Sequence, residues 1–368
     1  MYDNPFAGVA FHAVGGVAHG TFYAPLKKVR NWAWESAWLV QGIAAWIITP
    51  WLVAQLCGSH PWQTLSHSSS PVLLRTFLFG MVWGAGSLTF GLSVRYLGMS
   101  LGMAVALGYT VSLGTLVPPV FKGQMGELLQ TPGGRLVLLG VLICLLGIAF
   151  CGWAGVRRDR AQAADVNVRG RPKLLAGFLI ATFSGVMSSG FAFGIQSAQP
   201  IAHVALANGA PVIFQNSPGF VVVMAGGFLV NALWCIFLSL RNRSIGDFIG
   251  RRSVKPKNWG GAADSGPTIG RALGPNYGWA AIAGVTWYLG FMFYGIGTTF
   301  MGRYDFTSWS IHLAFVIVFS TLCGIATGEW RGSGRLTRWL LAAAIVILVS
   351  STLVIAIGGR VAIQAAAR

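Results

Sequence analysis

The chain has 368 residues, 54% of them hydrophobic and 10% charged, with 50 Gly, 15 Trp and a formal net charge of +17. Soluble domains average about 25% charged residues, so this surface is not built for water, and the composition is that of an all-α membrane protein with many spans. The basic residues sit in short loops between apolar stretches, which excludes nucleic-acid binding as the reason for the charge and matches the cytoplasmic bias of membrane loops.

Windows of about 20 mostly apolar residues predict ten spans, at roughly 5–26, 34–56, 72–94, 99–121, 135–156, 174–196, 212–240, 278–300, 306–328 and 338–358. The first lacks a basic leader and a small-residue cleavage site, so it is read as a retained helix. After it comes "FYAPLKKVRNWAWESAW", which gathers Lys27, Lys28, Arg30 and Glu35 in a chain poor in charge. The seventh span is interrupted by "FQNSPG", where Pro218 removes a backbone donor and is expected to break the helix. Loops after the odd-numbered spans hold twenty Lys and Arg, and the opposite side holds five. That asymmetry predicts cytoplasmic odd loops, with both termini on the outer side.

Two loops are longer. Residues 157–173 form a basic bridge at the middle of the chain, and 241–277, rich in Gly, Pro and basic residues, reads as a solvated cytoplasmic connection. Five spans precede the first of these loops and five follow it. Gly80, Trp83, Gly86, Phe90, Gly91 and Gly98 recur as Gly284, Trp287, Gly290, Tyr294, Gly295 and Gly302, all at one offset of 204 residues. The expected organisation is therefore two inverted five-helix repeats, 1–156 and 174–368, joined by the 157–173 linker. Such repeats point to a secondary transporter with its site between the halves. Runs such as "GMVWGAGSLTFG" and "GGVAHG" space small residues for close helix packing, which accounts for most of the glycine.

The polar residues inside the spans have two readings each. Glu35, Trp38, Gly42 and Trp46 share one stripe of span 2; Asp305, Ser308, Trp309 and His312 share one of span 9. Ionisable groups within a membrane usually face a cavity and act there. Asp305 also fits a helix N-cap, and Glu35 an ion pair with Lys28 or Arg30. His12 and His312 fit packing as well as chemistry. Gln196 and Asn231 fit interhelical hydrogen bonding as well as ligand contact. Arg95 and Glu329 read as interface anchors. Trp32, Trp51, Trp62, Trp153 and Trp330 fit an interfacial belt, whereas Trp83 and Trp287 lie mid-span and offer flat faces to a sugar ring. The five cysteines give neither a disulfide framework nor a metal set. No HExxH, paired catalytic acids or Gly-rich phosphate loop is present, so an enzyme is not expected, nor is any cofactor.

The segments "FYAPLKKVRNWAWESAW", "VRYLGMSLGMAVALG", "GGRLVLLGVLICLLGIA", "WYLGFMFYGIG" and "YDFTSWSIHLAF" resemble the L-rhamnose–proton symporter family of the drug/metabolite transporter superfamily, in order, from about residue 11 to 350. The resemblance implies ten helices in two inverted halves, a bacterial inner-membrane location, and L-rhamnose uptake driven by protons, with sodium as the other conceivable ion. Matching positions are His12, Tyr23, Lys27, Lys28, Trp34, Glu35, Trp38, Trp83, Arg95, Tyr96, Trp287, Tyr288, Asp305, Trp309 and His312. Ser87, Thr89, Gly290 and Gln196 depart from the polar residues expected there, which bears on the identity of the sugar. The candidate proton-coupling groups are thus Asp305, Glu35 and His312. The candidate sugar-binding groups are Trp38, Trp83, Trp287, Tyr288, Trp309, His12, Gln196 and Asn231. The expected partners are a small sugar (L-rhamnose or a related 6-deoxy sugar) and the lipid bilayer. The alternative within the same fold is an exporter or exchanger of another small polar metabolite.

Overall fold

The computed structural model describes residues 4–97, 99–163, 174–251 and 273–366, and every regular element among them is helical. The first helix, α1 (Pro5–Thr21), starts on Asn4, whose Oδ1 accepts from Ala7 N at 3.2 Å, and Pro5 opens the helix where its missing N–H costs nothing. A single turn, α2 (Tyr23–Leu26), leads to α3 (Trp34–Gly42). From there a π-helical segment, Ile43–Ile48, runs into α4 (Thr49–Leu56). Pro50 explains the π segment: it has no N–H for the Trp46 carbonyl and its ring crowds that group, so the chain widens by one residue per turn before it. Thr49 Oγ1 takes part in the same adjustment by donating to the Ala44 carbonyl at 2.7 Å.

The chain continues through α5 (Pro61–Ser66), α6 (Ser70–Leu97), α7 (Met99–Phe121), α8 (Met125–Gln130) and α9 (Pro132–Ala163). It resumes as α10 (Leu174–Ser188), α11 (Gly190–Ser197), α12 (Gln199–Ala207) and α13 (Ser217–Arg241), followed by α14 (Leu273–Thr299), α15 (Ser308–Ala326) and α16 (Arg335–Ala366). Nine helical stretches among the described residues are long and apolar enough to cross a membrane. The first expected span is not one of them, because α1 stops after 17 residues.

Three local expectations change. Pro218 does not break a helix; it sits in the first turn of α13, where proline is tolerated. The linker expected at 157–173 is helical as far as Ala163, because α9 carries its Arg pair past the apolar stretch. Asp305 is not on the helix with His312 but in a 3-10 turn, Gly302–Thr307, that precedes it. Of the 241–277 loop, Ile245–Ile249 forms a 3-10 turn with Asp247 buried, and its last residues from Leu273 belong to α14. Residues 164–173 and 252–272 and Gly98 of the repeat lie outside the described residues, as does the side chain of Arg95.

Packing follows the small residues. α1 lies against α14 and α15, α6 against α10 and α13, α9 against α16, and α14 against α3 and the π segment. At these crossings glycine is required by space. A Cβ on Gly284 would stand 2.5 Å from the Gln41 carbonyl oxygen, and one on Gly80 would strike the Val223 carbonyl. Helices in lipid gain little from hydrophobic burial, so such close backbone approach supplies the packing that holds them together. The largest buried cluster joins residues of the π segment, α6, α11, α13, α14 and α15.

Candidate functional site

The centre of that cluster is aromatic. Trp83 of α6 and Trp287 of α14 stack with centroids 5.8 Å apart and planes 21° apart. Trp46, brought inward by the π segment, meets both edge-on at 5.8 and 5.4 Å. Phe191 of α11 stacks on Trp309 at 5.1 Å, and Phe291 links this pair to Trp287. Trp309 Nε1 donates to the Thr110 carbonyl at 3.2 Å, but Trp46 Nε1 and the Tyr288 hydroxyl are buried with no hydrogen-bond partner. Gln41, fully buried on α3, is unsatisfied at both ends of its amide. An unmet buried polar group costs about 1–3 kcal/mol, so these groups make the aromatic centre a candidate site for a polar ligand.

Three histidines adjoin the aromatic centre. His19 Nδ1 and His312 Nε2 share a hydrogen bond of 2.7 Å, the donor being set by the tautomer. The His12 ring lies 6.0 Å from that of His312, and Tyr294 faces His12 and His312 at 5.4 and 5.3 Å. His19 meets Trp287 at 5.3 Å and Phe291 at 4.4 Å. All three imidazoles are buried. Both nitrogens of His12, Nε2 of His19 and Nδ1 of His312 are without partners. Glycine makes room for them: a Cβ on Gly290 would fall 2.6 Å from the His19 ring, and one on Gly297 2.9 Å from that of His12.

The remaining residues expected from the sequence lie in other settings. Gln196 Nε2 donates to Asp305 Oδ2 at 3.3 Å, leaving Gln196 Oε1 unmet, so these two form a polar pair of their own. Asn231 binds the carbonyl of Gly227 at 3.0 Å and Ser87 Oγ at 3.2 Å, and accepts from Trp38 Nε1 at 3.3 Å. Its amide ties α13 to α6 and α3. Trp38 itself stacks on Trp34 at 5.2 Å. Glu35 pairs with neither Lys28 nor Arg30 in a hydrogen bond; it accepts from Asn242 Nδ2 at 3.0 Å and Ser244 Oγ at 2.8 Å. Beside it Asp247 accepts from Ser36 Oγ and Ala33 N at 2.9 and 2.7 Å. Two exposed ion pairs link distant loops, Lys27–Glu329 at 3.0 Å and Arg303–Glu127. Among the described residues no cluster of His, Cys, Asp and Glu is arranged to hold a metal ion.

The structure thus brings Trp83, Trp287, Tyr288, Trp309, His12 and His312 to one centre and leaves Glu35, Trp38 and Asn231 outside it. Sequence reasoning passed over His19, Gln41 and Phe191. His19 had a usable signal, since it follows His12 by seven residues and so returns to the same face of one helix.

The sequence model of the L-rhamnose-proton symport protein family (RhaT) matches residues 1–361. The chain belongs to that family. Proteins described as L-rhamnose-proton symporters from Yersinia pestis (strain Pestoides F) and Yersinia pseudotuberculosis serotype O:1b (strain IP 31758) are each 34% identical to it over 365 residues. Each alignment covers 97% of this chain and 99% of the relative. A member of the L-rhamnose-proton symport family is a multi-pass membrane transporter, and the aromatic and histidine-lined centre is where its polar orphan groups concentrate.

Proposed function

We propose that this protein imports L-rhamnose, or a closely related 6-deoxy sugar, together with protons across a bacterial inner membrane. The observation that carries the proposal is the family match over residues 1–361, with relatives described as L-rhamnose-proton symporters aligned over 97% of the chain. The site chemistry supports it. Indole faces suit the C–H face of a deoxy sugar, and Gln41, Tyr288 and Trp46 offer hydrogen-bonding groups to its hydroxyls.

In this reading α1 with α2 is the tenth span: 17 residues reach about 25 Å, and the following turn covers the rest of a core near 30 Å. The inverted repeat is supported by the way helices pair. Taking spans in order, α1 packs on α14 and α15 as α10 packs on α6 and α7, while α3 meets α14 as α13 meets α6. Glycines at the 204-residue offset follow the same exchange: Gly80 abuts α13 and Gly284 abuts α3; Gly86 abuts α10 and Gly290 abuts α1. Trp83 and Trp287 then stack across the pseudo-twofold axis. Five spans per half make the halves opposite in sense, and the loop charges put both termini in the periplasm. Transport proceeds as the halves rock about the centre, opening it to one side and then the other.

Right-side-out vesicles test the reading. Accumulation of labelled L-rhamnose, with fucose, lyxose and mannose as competitors, is expected on energisation. Vesicles that only extrude the label would support an exporter.

A further inference from the structure

The importer reading leaves open which group takes the proton. We propose that the proton is held by the hydrogen-bonded pair His19–His312, with His12 as its neighbour, and that it binds there together with the sugar. The inference rests on the symport reading.

Two neutral imidazoles joined by one hydrogen bond keep one ring lone pair and one N–H unspent, whichever ring donates. In this structure those leftovers are His19 Nε2 and His312 Nδ1, both buried and unbonded. The Trp287 backbone lies beside His19 but makes no bond of good geometry to its ring. His12 adds a second unspent donor and acceptor. A proton arriving from the outer side adds to the free lone pair and gives an imidazolium hydrogen-bonded to an imidazole. On the inner side the same N–H bond breaks and the proton returns to water.

Among the described residues no countercharge is bonded to the pair; the acid within reach is Asp305, which acts on Tyr294 beside the rings. From α14 the pair is faced by Tyr294, Trp287 and Phe291, and from α1 by His12. From α9, Cys144 Sγ reaches the Ser310 carbonyl of α15 at 3.7 Å. Among the described residues no Lys, Arg, Asp or Glu is bonded to any of the three rings, and Asp305 is engaged by Gln196. An imidazolium in such a setting is poorly solvated until something polar arrives. A sugar in the adjoining aromatic centre supplies hydroxyls that accept from its N–H groups. Each ligand thereby strengthens the other's binding, and the coupling is reciprocal. This is the property a symporter needs.

Calorimetric titration of the purified protein with L-rhamnose at a series of pH values tests the assignment. The wild-type affinity is expected to rise about tenfold for each unit of falling pH, between the proton affinities of the free and loaded pair. His19→Gln and His312→Gln are expected to flatten that slope, and Asp305→Asn to keep it. A wild-type slope in both histidine variants, or a slope abolished by Asp305→Asn alone, overturns the proposal. Should the histidine variants not fold, ¹⁵N-histidine spectra of the wild-type protein decide. Rhamnose added at constant pH is expected to turn a neutral imidazole signal into a protonated one, and no change in any histidine signal overturns it. A wild-type protein that binds no rhamnose at all refutes the symport reading itself, an outcome separate from these.

Discussion

Trp83 and Trp287 stand 204 positions apart in the chain and stack with their ring centroids 5.8 Å apart, each from the middle of its helix. Trp46 closes the group edge-on, and the residues around it come from α1, α6, α11, α14 and α15. One contact therefore lies where the two halves of the chain meet, against both the unsatisfied polar groups and the histidine pair.

Truncating either indole should harm both fold and binding. Trp83→Ala and Trp287→Ala each leave a large cavity and are expected to cost about 3–5 kcal/mol, read as a lowered unfolding midpoint in detergent. Phenylalanine at either position keeps a flat face, so Trp287→Phe is expected to retain most of the stability and lose rhamnose affinity in calorimetry.

The glycines give a matched pair. A methyl group at Gly290 meets the His19 ring at 2.6 Å, whereas Gly91 has nothing within 4 Å of its added Cβ. Gly290→Ala is expected to cut the initial rate of rhamnose uptake by roughly tenfold or more through displacement of His19. Gly91→Ala should stay within about twofold of wild type, since alanine only improves helix propensity. Comparable uptake by the two variants would contradict the role given to the His19 contact.

Burial separates two acidic groups that look alike in sequence. Glu35 is buried and accepts from Asn242 and Ser244, so Glu35→Ala leaves two donors unmet and is expected to cost about 1.5–3 kcal/mol. Glu329 pairs with Lys27 at an exposed site, and Lys27→Ala should change stability by no more than about 1 kcal/mol. Thermal unfolding of the two variants side by side measures the contrast.

Much of this was open to reading in one dimension, for identifiable reasons. Lipid selects long apolar runs, so the positions of most spans follow from hydropathy, and Trp83 and Trp287 declare themselves by a shared offset. Pro50 carries the cause of the π segment in plain sight, yet hydropathy windows are blind to it. Pairings across the chain are a different matter. His19 meets His312 across 293 positions, and its spacing from His12 gives the shared helix face but not that partner. The partners of Glu35, Asn242 and Ser244, lie in a loop more than 200 residues away. Asp305 and His312 share a helical face only if the helix is continuous, and the 3-10 turn at Gly302–Thr307 removes that premise.

Proton movement coupled to sugar entry is the centre of the account, and it is measured most directly in proteoliposomes holding the purified protein in weak buffer. A membrane potential of 100 mV contributes about 2.3 kcal/mol per charge, enough for roughly fiftyfold accumulation, but the cleaner experiment uses no imposed gradient. L-rhamnose is added outside, and the external pH is followed. The account predicts a rise in external pH as sugar carries protons inward, at the same rate with or without sodium. Sugar entry with no change in pH, or entry that requires sodium, would contradict it.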